Sequence, residues 1–210
     1  MKGKFITFEG PEGSGKSTQS KLLYRYLKEK GLDVVYLREP GATNVSEKIR
    51  KILLDSKNDA INSICEMLLY MAARVQAVDE IIAPALEKGK IVICDRFLDS
   101  TIVYQGFGLG VDIKVIQYIG DIVTGGIKPD LTVLLDLSPV KGLKACGRIK
   151  DRIEKRCLAY HLRVRRGYHK LAASEPQRIK VIKVDKDKNK TQEKIRKLVL
   201  NFLKRCHLKI

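Results

Sequence analysis

The sequence predicts an α/β fold in which a parallel sheet is covered by helices on both faces. Two observations predict it. Short apolar runs alternate with longer helical patterns through all 210 residues, the order a buried parallel sheet imposes. The first run leads directly into Gly10-Pro11-Glu12-Gly13-Ser14-Gly15-Lys16-Ser17-Thr18, a full match to G-x-x-x-x-G-K-[ST] placed between a strand and a helix. With 44% hydrophobic residues, no repeat and no linker, residues 1–210 read as one domain.

Phe5-Ile6-Thr7-Phe8 is the first buried strand. The glycine-rich stretch after it lets successive backbone N–H groups turn onto a polyphosphate, Lys16 reaches the β and γ phosphates, and Ser17 offers a hydroxyl to the Mg2+ that bridges them. Ser20 to Lys30 follows as an amphipathic helix. Val34-Val35-Tyr36-Leu37 is a second strand, ended by Arg38-Glu39-Pro40-Gly41. Ser46 to Leu54 reads as a short helix with Val45, Ile49, Ile52 and Leu53 on one face. From about Ile61 to Glu87 a long helix places Ile64, Leu68, Met71, Val75, Val78 and Ile82 at helical spacing, with Pro84 a point of kinking.

Lys90 to Arg96 is the third strand, with Asp95-Arg96 at its carboxyl end, where open parallel sheets bind ligands. Asp112 caps a helix that runs to Thr124 and is stopped by Gly125-Gly126. Leu131 to Leu137 is the fourth strand, and Ser138-Pro139 opens another helix. Residues 147–156 are dense in charge and read as a mobile flap. Cys157 to Ala173 is a helix, Ile179 to Val184 the fifth strand, and Thr191 to Leu203 the closing helix.

Five cysteines (65, 94, 146, 157 and 206) form no C-x-x-C pair and suit free thiols in a reducing compartment. No apolar stretch approaches the ~18 residues needed to span a bilayer, so the expected location is the cytoplasm. The net charge of +17 is unevenly spread: residues 1–140 hold 18 basic and 18 acidic side chains, residues 141–210 hold 23 and 6. A solvated basic helical surface explains most of that surplus. A nucleic-acid footprint is disfavoured, because the lysines are not interleaved with aromatic residues.

Proteins that hold a polyphosphate in such a loop differ in their second substrate. Arg38 and Arg96 follow buried strands, and Arg74 lies in the apolar helix Tyr70-Met71-Ala72-Ala73-Arg74, where a guanidinium is costly unless paired. Converging guanidinium forks suit a phosphate monoester. Asp95 either holds Mg2+ through water or orients Arg96. Glu12, an acid inside a phosphate loop, needs a different purpose, and a sugar hydroxyl provides one. Ser100, Thr101, Tyr104 and Gln105 can read the edge of a base, and Tyr70 can stack on its face.

These residues together resemble the thymidylate kinase family. The resemblance covers nearly the whole chain and rests on Phe8 to Thr18; on Arg38-Glu39-Pro40-Gly41-Ala42-Thr43; on Asp95-Arg96-Phe97 with Ser100-Thr101-x-x-Tyr104-Gln105-Gly106; and on Pro129-Asp130-Leu131-Thr132 with Asp151-Arg152-Ile153-Glu154. It implies a five-stranded P-loop kinase fold, a homodimer, and transfer of the γ-phosphate of ATP to dTMP, giving dTDP for dTTP synthesis. It implies that Arg38, Arg74 and Arg96 hold the dTMP phosphate, Tyr70 stacks on thymine, Thr101 and Gln105 contact its edge, and Glu12 takes the 3′-hydroxyl. The family carries its catalytic arginine either in the phosphate loop or in the flap. Glycine and serine stand at the loop positions here, so the flap must supply it, and Arg152 and Arg148 are the candidates. Ala42 stands where relatives have a second glycine, Val103 where they have alanine, and Ala145-Cys146-Gly147 where they tend to carry arginine; the flap is about two residues short. The remaining readings are a kinase for another nucleotide or nucleoside, such as dUMP, and a nucleic-acid-binding ATPase.

Overall fold

The computed structural model describes residues 3–147 and 151–206. Five strands, β1 (Lys4–Glu9), β2 (Val34–Arg38), β3 (Ile91–Asp95), β4 (Leu131–Asp136) and β5 (Ile179–Lys183), form one parallel sheet in the order β2-β3-β1-β4-β5. The inner strands β1, β3 and β4 are nearly continuous buried runs, as a sheet covered on both faces requires. From central β1 the chain moves outward to β2 and β3 on one side, then to β4 and β5 on the other. The reversal leaves a crevice beyond the carboxyl end of β1, the place where open α/β sheets bind ligands. Register brings Arg38 of β2 beside Asp95 of β3, and Asp95 beside Phe8 of β1.

On one face, α1 (Lys16–Glu29) and α9 (Lys188–Arg205) cover Ile6, Phe8, Val133 and Leu135 with Leu23, Leu27, Ile195 and Val199. The opposite face buries Phe5, Leu37, Val92 and Phe97 under a helical arm made of α3 (Ser63–Ala77), a π-helical turn at Val78–Ile82 and α4 (Ala83–Glu87). Beside it, α5 (Leu98–Thr101) continues into a second π segment, Ile102–Gly108, which packs with α8 (Leu158–Ser174) around Val103, Tyr160, Val164 and Tyr168. The remaining helices are α2 (Asn44–Leu54), α6 (Ile113–Thr124) and α7 (Pro139–Ala145). Asp112 accepts the Lys114 N–H and Gly125 takes the left-handed conformation, so α6 starts and stops where its sequence signals stand.

The apolar stripes of α2 and α3 are only partly covered: Val45, Ile52, Ile64, Leu68 and Val75 are exposed, while Met71, Val78 and Ile82 are buried. Helical periodicity identifies an apolar face without saying what covers it. The expectation of a mobile flap needs correction. Residues 151–156 pack against the body, with Ile153 in the core beside Tyr160 and with Arg152 only 5% exposed; buried counter-charges, described below, hold the charged segment in place. Residues 148–150 lie outside the described residues.

The phosphate loop and α7 meet main chain to main chain. Gly13 has φ +68°, and a Cβ on it would lie 2.0 Å from the Gly142 carbonyl oxygen. A Cβ on Gly142 would lie 2.1 Å from the carbonyl oxygen of Glu12. Only glycine permits this approach at either position.

Candidate active site

The crevice is a cleft of about 450 Å³, lined by the phosphate loop, the ends of β2 and β3, α2, α3, the second π segment, and Asp151, Ile153 and Glu154. Its floor is the Gly10–Thr18 loop feeding α1. Gly15 caps that helix with no side-chain bond to its first turn, so free N–H groups and the positive end of the helix dipole face the cleft, a ready anion site. Lys16 donates to the Pro11 carbonyl at 2.8 Å. Burial, reinforced by the nearby Arg96, lowers its pKa to about 8.

Ser17 donates its hydroxyl to Oδ2 of Asp95, while the other Asp95 oxygen is buried without a partner among the described residues. A hydroxyl beside an under-used carboxylate fits Mg2+, which keeps most of its waters and takes the rest of its ligands from phosphate. Among the described residues no cluster of three or more His, Cys, Asp or Glu makes an all-protein metal cage.

Arg96 follows β3 with φ +72°, a conformation costing roughly 1–3 kcal/mol for a non-glycine residue. Its N–H bonds to Phe8 O at 3.0 Å, and the next N–H, of Phe97, bonds to Glu9 Oε1 at 2.8 Å. Those bonds fix the turn and send the guanidinium over the loop. There it donates to Glu12 at 2.7 Å and lies over the Tyr104 ring, 4.8 Å from its centroid. Tyr104 also donates to Glu12, at 2.8 Å. Burial alone would raise the Glu12 carboxyl, but Arg96, Lys16 and the tyrosine hydroxyl outweigh it and hold the pKa at about 2.

The other acceptor-side residues predicted from sequence also line the cleft. Arg38 pairs with Glu47 of α2 at 2.9 and 3.2 Å. Arg74, 2% exposed, donates to Glu39 at 2.8 Å and lies over Phe97. Tyr70 lines the cleft, its hydroxyl pKa raised by burial and by Glu66. Thr101 carries a buried hydroxyl with no partner among the described residues, and Gln105 donates to Glu66 at 2.8 Å.

Two predicted residues do something else. Ser100, expected at the base edge, donates to Glu9 at 2.6 Å, contacts the Tyr168 hydroxyl at 2.9 Å and accepts from Arg96 at 3.2 Å. Its hydroxyl anchors Arg96. Arg152, expected at the transferring phosphate, pairs with fully buried Glu66 at 2.6 Å and donates to Leu53 O at 2.8 Å. It is absent from the cleft lining, because a buried carboxylate demands a buried cation. Arg148 lies outside the described residues.

Sequence reasoning missed Arg50, Glu9 and Glu66. Arg50 projects from α2 into the cleft and donates to Pro40 O at 3.0 Å, sharing that oxygen with Arg38 at 3.2 Å. The one available signal was its position three residues after Glu47, on the helix face that carries the Arg38 partner. Glu9, at the end of β1, accepts from Phe97, Ser100 and Tyr168. Burial and the neighbouring Asp99 raise its pKa to about 7.

The chain matches the family model described as thymidylate kinase over residues 8–195. It is 46% identical to the thymidylate kinase of Symbiobacterium thermophilum over 202 residues, 96% of this chain and 94% of that one. It is 45% identical to that of Halothermothrix orenii, with both chains fully covered. The crystal structure of thymidylate kinase from Ehrlichia chaffeensis superposes with a TM-score of 0.79 at 36% identity, covering 95% of this chain and all of that one. The family model spans most of the chain, and relatives of that name share nearly half of its residues over almost its full length: the chain belongs to the thymidylate kinase family.

Proposed function

We infer that this chain transfers the γ-phosphate of ATP to dTMP, and that it does so as a single P-loop kinase domain in the cytoplasm. The observation that carries the reading is the cleft itself, with a polyphosphate cradle on one side and Arg38, Arg50, Arg74 and Arg96 with Tyr70, Thr101 and Gln105 on the other. Lys16 and the N–H groups of Gly10–Thr18 hold the ATP phosphates. The arginines take the acceptor phosphate, Tyr70 the face of thymine, Thr101 and Gln105 its edge, and Glu12 the sugar. Ser17 and Asp95 would hold Mg2+, which when bound neutralises charge on the β and γ phosphates. A dTMP phosphate oxygen is already ionised, so positioning and charge neutralisation suffice, and no strong general base is needed.

Glu66 engages Arg152, so of the two flap candidates we assign the catalytic role to Arg148. The exposed apolar residues of α2, α3 and α6, including Leu68, Tyr118 and Ile122, support a homodimer in which a second copy covers them. Among the described residues, no helix is long and apolar enough to cross a membrane.

A coupled assay with ATP and a panel of nucleoside monophosphates tests the reading. dTMP should be the best acceptor, and Lys16→Ala should abolish turnover while the far-UV spectrum stays unchanged. Arg148→Ala should lower kcat by about 10³ or more, the scale of an arginine finger. A loss of that size confined to Arg152→Ala would return the role to Arg152, and ATPase activity stimulated by single-stranded DNA with none on dTMP would overturn the whole reading.

A further inference from the structure

Glu66 stands in the first turn of α3, fully buried, and gathers three donors from two separate parts of the chain. Its Oε1 accepts from the Gln105 side-chain nitrogen at 2.8 Å. Its Oε2 accepts from Arg152 and from Arg156, each at 2.6 Å. A buried carboxylate is tolerated only with such compensation. Stability alone would require the two arginines. The amide is a third partner, and it comes from the wall of the cleft.

The chemistry of that contact fixes an orientation. A carboxylate paired with two guanidinium groups only accepts hydrogen bonds, so only the NH2 end of Gln105 can face it, whichever way the amide is drawn. The carbonyl end is then the one left for the cleft, which Gln105 lines. A carbonyl acceptor matches a base edge that carries a donor. The imide of thymine or uracil presents an N3–H, whereas cytosine presents a lone pair at the same ring position and would meet acceptor with acceptor.

Resting on the acceptor assignment above, we propose that Glu66 is a positioning residue for base selection, setting the Gln105 amide so that the cleft takes imide pyrimidines and rejects cytosine. Without its charge the amide is free to turn over, and the carbonyl at the base edge gives way to an NH2 that cytosine N3 can accept from.

The test measures kcat/KM for dTMP, dUMP and dCMP in the full-length protein and in Glu66→Gln and Glu66→Asp. The first removes the charge. The second keeps a partner for both arginines but draws the carboxylate back from Gln105, so it preserves the test if Glu66→Gln fails to fold. The preference for dTMP over dCMP should fall by about tenfold, the scale of one net hydrogen bond at the base edge. The ratio of dTMP to dUMP should not move, because both bases carry the imide. In a Gln105→Met background, Glu66→Asp should no longer change the dTMP:dCMP ratio, as expected if Glu66 acts through that amide. Equal losses on all three nucleotides would make Glu66 a structural counter-ion and overturn the assignment. So would an unchanged dTMP:dCMP ratio in every folded variant. Absence of dTMP turnover in the unaltered protein would overturn the acceptor reading, and this inference with it; turnover with unmoved ratios overturns this inference alone.

Discussion

Lys16 occupies a site that disfavours its own charge until a ligand arrives. Its pKa lies at about 8 because burial, and then Arg96, act against the ammonium. Polyphosphate reverses that balance. The ligand-free side chain loses its proton as pH rises through 8, and the bound one keeps it, so nucleotide binding above pH 8 should take up a proton and weaken as pH climbs further. Isothermal titration in two buffers of different ionisation enthalpy reads the uptake directly, and Lys16→Ala should abolish it. The loop residues were legible because their spacing encodes a mechanism. Arg50 was not, since a helical arginine looks the same in sequence whether it meets solvent or a cleft. Arg152 misled for the opposite reason: its motif is prominent, but its partner Glu66 lies 86 positions earlier in the chain. Ala42 reads as a small change in bulk, yet it sits at φ +76°, where the missing glycine matters through the backbone.

At the scale of elements, the strands were legible because apolar runs bounded by charge and turn residues admit few alternatives. The π segments were not. Val78–Ile82 interrupts a pattern that reads as one helix, and Ile102–Gly108 turns Tyr104 and Gln105 toward the cleft with no periodicity to announce it. Such widened turns recur at functional sites. The placement of α2 depends on its first residues. Thr43 caps it by accepting the Ser46 N–H at 3.1 Å, and Ser46 in turn donates to Ala73 O of α3 at 2.7 Å. Thr43→Ala should therefore cost about 1 kcal/mol, roughly 2–4 °C in melting temperature for a chain of this size. Because α2 carries Glu47 and Arg50, the same change should raise KM for the acceptor more than KM for ATP, which steady-state kinetics with each substrate varied in turn will show.

Across the whole molecule, the parallel sheet covered on both faces followed from the alternation of strands and helices, whereas the order of its strands did not, because alternation leaves that order open; nor did the exposure of Ile64 and Leu68, because an apolar stripe left on the surface has the same period as one bound for the core. Leu68 is 47% exposed, so a charge there leaves the monomer's own packing intact. For the homodimer proposed above, Leu68→Glu should leave a single chain at micromolar concentration where the unaltered protein elutes as two, as read by light scattering after size exclusion. The basic surplus of the last third lies largely on exposed side chains such as Lys190, Lys197 and Lys204, a solvated surface remote in sequence from the acceptor arginines. The meeting of Gly13 with Gly142 has an evolutionary consequence. Each glycine is barred from mutation by a main-chain atom near 2 Å, and main chain, unlike a side chain, cannot be trimmed by a compensating substitution. Neither position can drift alone and neither can be rescued by its neighbour, so in descendants of this sequence the two glycines should be inherited together or lost together with the activity.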